Sequence, residues 1–339
     1  YVKLNNFSRT TIQEFRTAVV DLKDAGMKDL ILDLQGNGGG YLSTAIDLAD
    51  EFLSGRKLVV YTEGRTFPKS VYRTESPGLV EDGRVIVLID ESSASASEIV
   101  TGAIQDWDRG IVVGRRSFGK GLVQKPVSLP DGSMVRLTTS RYYTPTGRSI
   151  QKPYEDGTDA YRKEKFERFQ NGEAYHADSI DFPDSLKFET LSTSRAVYGG
   201  GGIMPDFYVP VDTSETSAYF SSLIRKGHMN TFILDYIDKK RDGLKEKYST
   251  FAEFKKEFDA ADLTKKLVKY ATDEGLEFNE SEYNRSERII QIRVKSMVAQ
   301  NLWDYTKFYE IINDLNNSYK KAIKILEDGS YEKVNLAAN

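Results

Sequence analysis

The chain contains no cysteine, and that absence removes a thiol nucleophile, a disulfide framework and thiolate metal ligation. Histidine is nearly as scarce: His176 and His228 are the only two in 339 residues. Hydrolysis that needs an imidazole base would have to recruit one of them. No run of about 18 apolar residues occurs, so no segment reads as a membrane-spanning helix. No block of lysine and arginine stands out against a net charge of −4 with both signs interspersed, so a nucleic-acid partner is not expected. Neither a metal nor an organic cofactor is expected. The chain opens at Tyr1, without Met or a leader, directly in an apolar segment, and reads as a piece of a longer protein.

What remains is an ordinary globular composition, 39% hydrophobic and 29% charged, with length enough for two domains. Up to about residue 212, strand and helix patterns alternate. Residues 1–5 read as a strand. A helix follows from Thr11, with Ile12, Phe15, Val19 and Leu22 on one face and a capping-box spacing at Thr11-x-x-Glu14. Leu30–Leu34 is a short buried strand, Gly36–Gly40 a turn, and Leu42–Leu53 a second helix. Leu58–Val60 and Val85–Ile89 read as strands, Ala96–Trp107 as a helix and Ile111–Val113 as a strand. This alternation predicts an α/β domain with a mainly parallel sheet. After Lys120 the pattern turns to β, with Leu129–Ser133 as a turn between two strands.

Residues 151–190 are polar and patternless and read as a long loop or insertion. From residue 213 to 339 the pattern is helical. Phe251, Phe254 and Phe258 share a face, as do Leu263, Leu267 and Tyr270. The longest stripe runs from Ile290 through Val294, Met297, Val298, Leu302 and Tyr305 to Ile312 and Leu315. These stripes read as the core of a separate helical domain, with a dimer interface or a lid as the alternative.

The segment Asp90–Glu98 closes a buried strand and opens a helix. In open α/β sheets, ligands bind beyond the carboxyl ends of strands. A serine there has free helix N–H groups beside it that can stabilise an anion. Capping alone would also explain serines in this place, since Ser95-x-x-Glu98 is itself a capping-box spacing. A serine hydroxyl needs a base, and with histidine so scarce a lysine freed of its proton by burial is the alternative. Lys120, in Ser117-Phe-Gly-Lys-Gly121, sits where burial is permitted, but its spacing does not distinguish it from other lysines.

Ser93-Ala-Ser-Ala-Ser-Glu-Ile99, then Gln105-Asp106, then Phe118-Gly-Lys-Gly121 with Val123-Gln124 resemble the C-terminal processing peptidases, or tail-specific proteases. Asp33-Leu-x-Gly-Asn-Gly-Gly-Gly40, Tyr142–Ile150 and Tyr198–Asp206 continue the likeness in the family's order over residues 1 to about 210. The resemblance implies a crotonase- or ClpP-like ββα spiral core and a serine peptidase with a Ser–Lys pair. It places the nucleophile on Ser95, the base on Lys120, the glutamine that holds the lysine on Gln124, and the oxyanion donors on the Ala96 amide and Gly39 or Gly40. It also implies protein or peptide substrates, an upstream PDZ domain that this chain does not carry, and a place in the bacterial cell envelope; a homo-oligomer through the helical domain belongs to the dimer-interface reading of its stripes, not to the resemblance. Two departures stand out: Gln35 where the family has arginine, and Gly38 where it has proline. Asp106 lies about 16 Å along the helix from Ser95, too far for a triad, and is read as structural, paired with a nearby base. Two rival functions remain on this core, a ligand carrier without catalysis and an acyl-CoA enzyme with an amide oxyanion hole.

Overall fold

The computed structural model describes residues 1–152, 154, 157–176, 179–180, 183–334 and 336–337. The chain divides into two compact units, Tyr1–Pro210 with Lys321–Asn339, and Val211–Lys320.

The first unit opens with β1 (Val2–Lys3), α1 (Thr11–Asp24), β2 (Leu30–Asp33) and α2 (Leu42–Asp50). It continues with β3 (Leu58–Glu63), β4 (Ser70–Arg73), β5 (Val85–Ile89), α3 (Ala96–Asp106) and β6 (Ile111–Gly114). Then come β7 (Leu122–Ser128), β8 (Met134–Tyr143), α4 (Gly157–Gln170), β9 (Lys187–Glu189), β10 (Ala196–Tyr198) and β11 (Phe207–Tyr208). One sheet, ordered β1-β2-β5-β6-β11, is parallel throughout. Every residue of β5 is buried, as a strand covered on both faces requires. A second, antiparallel sheet runs β4-β3-β8-β7, with β7 and β8 joined as a hairpin around Leu129–Ser133. Helix α3 is buried along its whole length, packed on α2, β3 and β6. Its N-terminus follows β5, so the segment Asp90–Ser95 lies at the carboxyl edge of the parallel sheet.

Three expectations need correction. Thr11 is the first residue of α1 rather than its cap, and its hydroxyl oxygen accepts the Ser8 N–H at 2.9 Å. The segment 151–190 is no structureless loop: it carries α4 and β9, and β9 pairs with β10. α4 has no apolar stripe, so hydrophobic periodicity could not reveal it. The helical region does not keep the chain's end, because residues 321–339 belong to the first unit. There Tyr331 accepts the Val85 N–H at 3.0 Å and Arg84 donates to the Leu326 carbonyl at 2.9 Å.

The second unit is helical: α5 (Ala218–Arg225), α6 (His228–Lys247), α7 (Phe251–Glu257), α8 (Ala261–Asp273), α9 (Glu280–Leu302) and α10 (Tyr305–Ile312); the boundary at Lys321 falls within the next helix, α11 (Asn317–Glu327). Phe254, Phe258, Leu263, Leu267, Ile290, Val294 and Val298 are buried in one core, as their spacing predicts. The longest stripe is interrupted, however. α9 ends at Leu302, Asp304 caps α10, and Tyr305 is 64% exposed. No helix among the described residues is long and apolar enough to cross a membrane.

Candidate active site

The four serines at the end of β5 have different fates. Ser93 and Ser97 are fully buried, and their hydroxyls donate to the carbonyls of Leu34 and Asn37, both at 2.8 Å. They are structural pins. Ser95 is half-buried at the N-cap of α3, with φ +57° and ψ −112°. A non-glycine residue at positive φ stores strain, and such strain clusters at functional sites.

Behind Ser95 lies Glu98, which the sequence offered only as a capping partner. Its side chain is buried and is the acceptor for four donors. Oε2 accepts the N–H of Ser95 at 2.8 Å and of Lys120 at 2.9 Å. Oε1 accepts the N–H of Gly119 at 2.7 Å and the Ser117 hydroxyl at 2.5 Å. Burial pushes the Glu98 carboxyl above its ordinary range, against these four donors, which favour the charged form. Tyr142 ties the same two residues from the carbonyl side: its hydroxyl contacts the Ser95 carbonyl at 3.0 Å and the Lys120 carbonyl at 2.6 Å. Burial pushes the phenol well up, so it keeps its proton to donate. One carboxylate and one phenol thus fix the backbone of Ser95 against that of Lys120 across a gap in sequence.

The glycine turn sits against this point. At Gly39, with φ +96°, a Cβ would lie 2.8 Å from the Ser95 Cβ and 2.9 Å from the Ala96 nitrogen. Only glycine allows this approach. The Gly39 N–H donates to Asn37 Oδ1 at 2.9 Å. Gly40 packs on Phe7 instead, where a Cβ would meet the Phe7 carbonyl oxygen at 2.1 Å. Asn37, fully buried, organises the turn: its Nδ2 donates to the Leu4 carbonyl at 2.9 Å, and its own carbonyl accepts the Ala94 N–H at 3.0 Å. Its role needs partners from three segments, which a local motif does not display.

Lys120 and Gln124 both line a cavity of about 1310 Å³, which exceeds the roughly 300–1,000 Å³ of a small-molecule site. Gln124 is exposed on β7, beside a register shift between Val123 and Gln124. No hydrogen bond joins it to Lys120 among the described residues. Neither histidine lines this cavity. Asp106 is fully buried and pairs with Arg148 at 2.7 Å, while its Oδ2 accepts the Thr146 N–H at 2.9 Å. It stands away from the Ser95 cluster and holds the Tyr142–Ile150 segment to α3. No cluster of His, Asp and Glu suited to a metal ion occurs among the described residues.

Residues 1–158 match the model of peptidase family S41. Residues 219–304 match a family of unknown function, DUF8443. The carboxy-terminal-processing protease of Bartonella bacilliformis is 41% identical over 157 residues, covering 44% of this chain and 36% of that protein. The chloroplastic C-terminal processing peptidase of Tetradesmus obliquus is 35% identical over 152 residues, covering 45% and 32%. The carboxyl-terminal-processing protease of Synechocystis sp. is 37% identical over 152 residues, covering 45% and 35%. The aligned region thus spans about a third of each of these relatives. Among solved structures, a photosystem II D1 C-terminal processing protease aligns with 26% identity and a TM-score of 0.44, covering 61% of this chain and 41% of that one.

Proposed function

From residues 1–158 being a region of peptidase family S41, we propose that the chain is the catalytic part of a serine endopeptidase built on a ββα spiral core. It cuts peptide bonds in proteins near their C-terminal tails, with Ser95 as nucleophile and Lys120 as base. The observation that carries this reading is the double tie between the two residues: Glu98 on both amides and Tyr142 on both carbonyls. Such preorganisation is what a nucleophile–base pair requires.

In this mechanism Lys120 takes the Ser95 proton as Oγ attacks the peptide carbonyl. The developing oxyanion is met by the Ala96 amide at the start of α3 and by a glycine amide of the 36–40 turn. Lys120 returns its proton to the leaving amine, and water then releases the acyl group with Lys120 again as base. Gln124, on the same cavity wall, is the residue assigned to steady the lysine, through a contact that must form on substrate binding, since no hydrogen bond joins the two among the described residues. The cavity takes an extended peptide rather than a compact ligand. The whole protein places this unit in the cell envelope with a PDZ domain ahead of it.

Casein or an internally quenched peptide should be cut, and Lys120→Met should lose that cleavage. Full cleavage by Lys120→Met, or no cleavage of any peptide, overturns the reading. Gly39→Ala should lower the melting temperature, since positive φ alone costs alanine about 1–2 kcal/mol. It should also cut kcat by about tenfold or more, because the new methyl displaces Ser95 or Ala96. A variant with unchanged kcat would show that the turn does not serve the site.

A further inference from the structure

The mechanism above uses nothing from α4, yet this helix lies on the loop that carries Lys120. Arg168 is 6% exposed. Its Nη1 donates to the Ser117 carbonyl at 2.8 Å, and its Nη2 donates to the Gly201 carbonyl at 3.2 Å and approaches that of Phe118 at 3.4 Å. Glu164, one turn back, pairs with Arg168 and also accepts Lys152 Nζ at 2.9 Å. The Lys152 N–H in turn donates to the Gly119 carbonyl at 3.0 Å, and its ammonium lies 4.1 Å from the Phe118 ring centroid. Gln151 Oε1 accepts the Gly121 N–H at 2.9 Å.

α4 therefore docks mainly by charge, with an aromatic contact from Tyr161, edge-on to Phe118 at 6.0 Å between ring centroids. Its Phe166 is 64% exposed, while Arg168 is buried. Burying a guanidinium costs several kcal/mol unless its donors are satisfied, and here backbone carbonyls of the lysine loop satisfy them.

The two grips on this loop are complementary. Glu98 holds the N–H groups of Gly119 and Lys120, and Arg168 holds the carbonyls of Ser117 and Phe118. The Phe118–Gly119 peptide unit lies between an anion at its N–H and a cation at its C=O. Both charges favour the same orientation of its dipole, in a buried setting where such interactions are strong.

We propose that Arg168 is a positioning residue for Lys120, acting through the Ser117 and Phe118 carbonyls to set the direction in which the lysine leaves its loop. This rests on the Ser95–Lys120 reading.

The test is steady-state peptide cleavage together with amide exchange of the segment 117–121. Arg168→Met should lower kcat about ten- to a hundredfold, the scale of a small misplacement of a reacting group, with KM within about twofold. It should speed exchange at 117–121 and leave that of β5 unchanged. Arg168→Lys should recover part of kcat, since it restores the charge without the fork. It also serves as the test variant if Arg168→Met does not fold. In a Lys120→Met background, Arg168→Met should cause no further loss. Unchanged kcat, a rise in KM alone, or the same loss without Lys120 overturns the proposal. Cleavage that survives Ser95→Ala or Lys120→Met instead overturns the dyad, and exchange at 117–121 then decides alone whether Arg168 holds the loop.

Discussion

Ser95→Gly should abolish peptide cleavage and at the same time make the protein more stable. Loss of the nucleophile costs on the order of 10⁴-fold or more in kcat. The gain in stability comes from the backbone. Ser95 sits at φ +57°, ψ −112°, a conformation that costs a residue with a Cβ about 1–3 kcal/mol. Glycine adopts it without that cost, at the expense of about 0.4–1 kcal/mol in the entropy of the unfolded chain. A net gain of about 1 kcal/mol corresponds to a rise in Tm of roughly 2–4 °C. Ser95→Ala keeps the Cβ and therefore the strain, so it should lose the same activity without the gain. Comparing the two melts isolates the strain. A glycine variant that melts no higher than the alanine variant means the backbone there is not strained. Retained cleavage in either variant means Ser95 is not the nucleophile.

The sequence reached the α/β pattern because β2, β5 and β6 are short apolar runs buried on both faces, and their signal needs no partner to be seen. It could not separate the serines of Asp90–Glu98 by itself. What sets Ser93 and Ser97 apart from Ser95 includes what their hydroxyls meet, the carbonyls of Leu34 and Asn37, roughly 60 residues away in the chain. Glu98 was legible as a cap and not as a hub, because three of its four donors come from Ser117, Gly119 and Lys120. α4 was missed for a related reason. A helix that docks through Arg168 and Glu164 has no stripe to read, and polar periodicity resembles a loop. The break between α9 and α10 shows the opposite failure, where apolar spacing ran on across Trp303 and Asp304 although the backbone did not.

Glu98→Gln should leave a folded protein with little activity. The amide keeps the shape of the carboxylate but presents one oxygen where there were two. With that oxygen turned to the Ser95 and Lys120 amides, the new NH₂ faces the Gly119 N–H, and a buried donor is left unpaired at a cost of about 1–3 kcal/mol. Turned the other way, it orphans both residues of the pair. Removing a buried charge offsets part of this cost, so the melting temperature at neutral pH should change little while kcat falls about a hundredfold. The offset depends on pH. Burial raises the Glu98 carboxyl, so the native state holds its proton more tightly than the unfolded chain does. That contribution favours folding below the ordinary carboxyl pKa and is lost as pH rises through the raised one. Glutamine has no such term, so the wild type should gain stability relative to Glu98→Gln as pH is lowered. Its activity should fall over the same range, since a protonated Glu98 can aim its proton only at Ser117 Oγ, which already accepts the Ile203 N–H at 2.6 Å. Glu98→Ala is the harsher control: it strips the acceptor from three backbone N–H groups and should remove a large share of the stability of the unit. Full activity in Glu98→Gln would mean that Ser95 and Lys120 are held by Tyr142 alone.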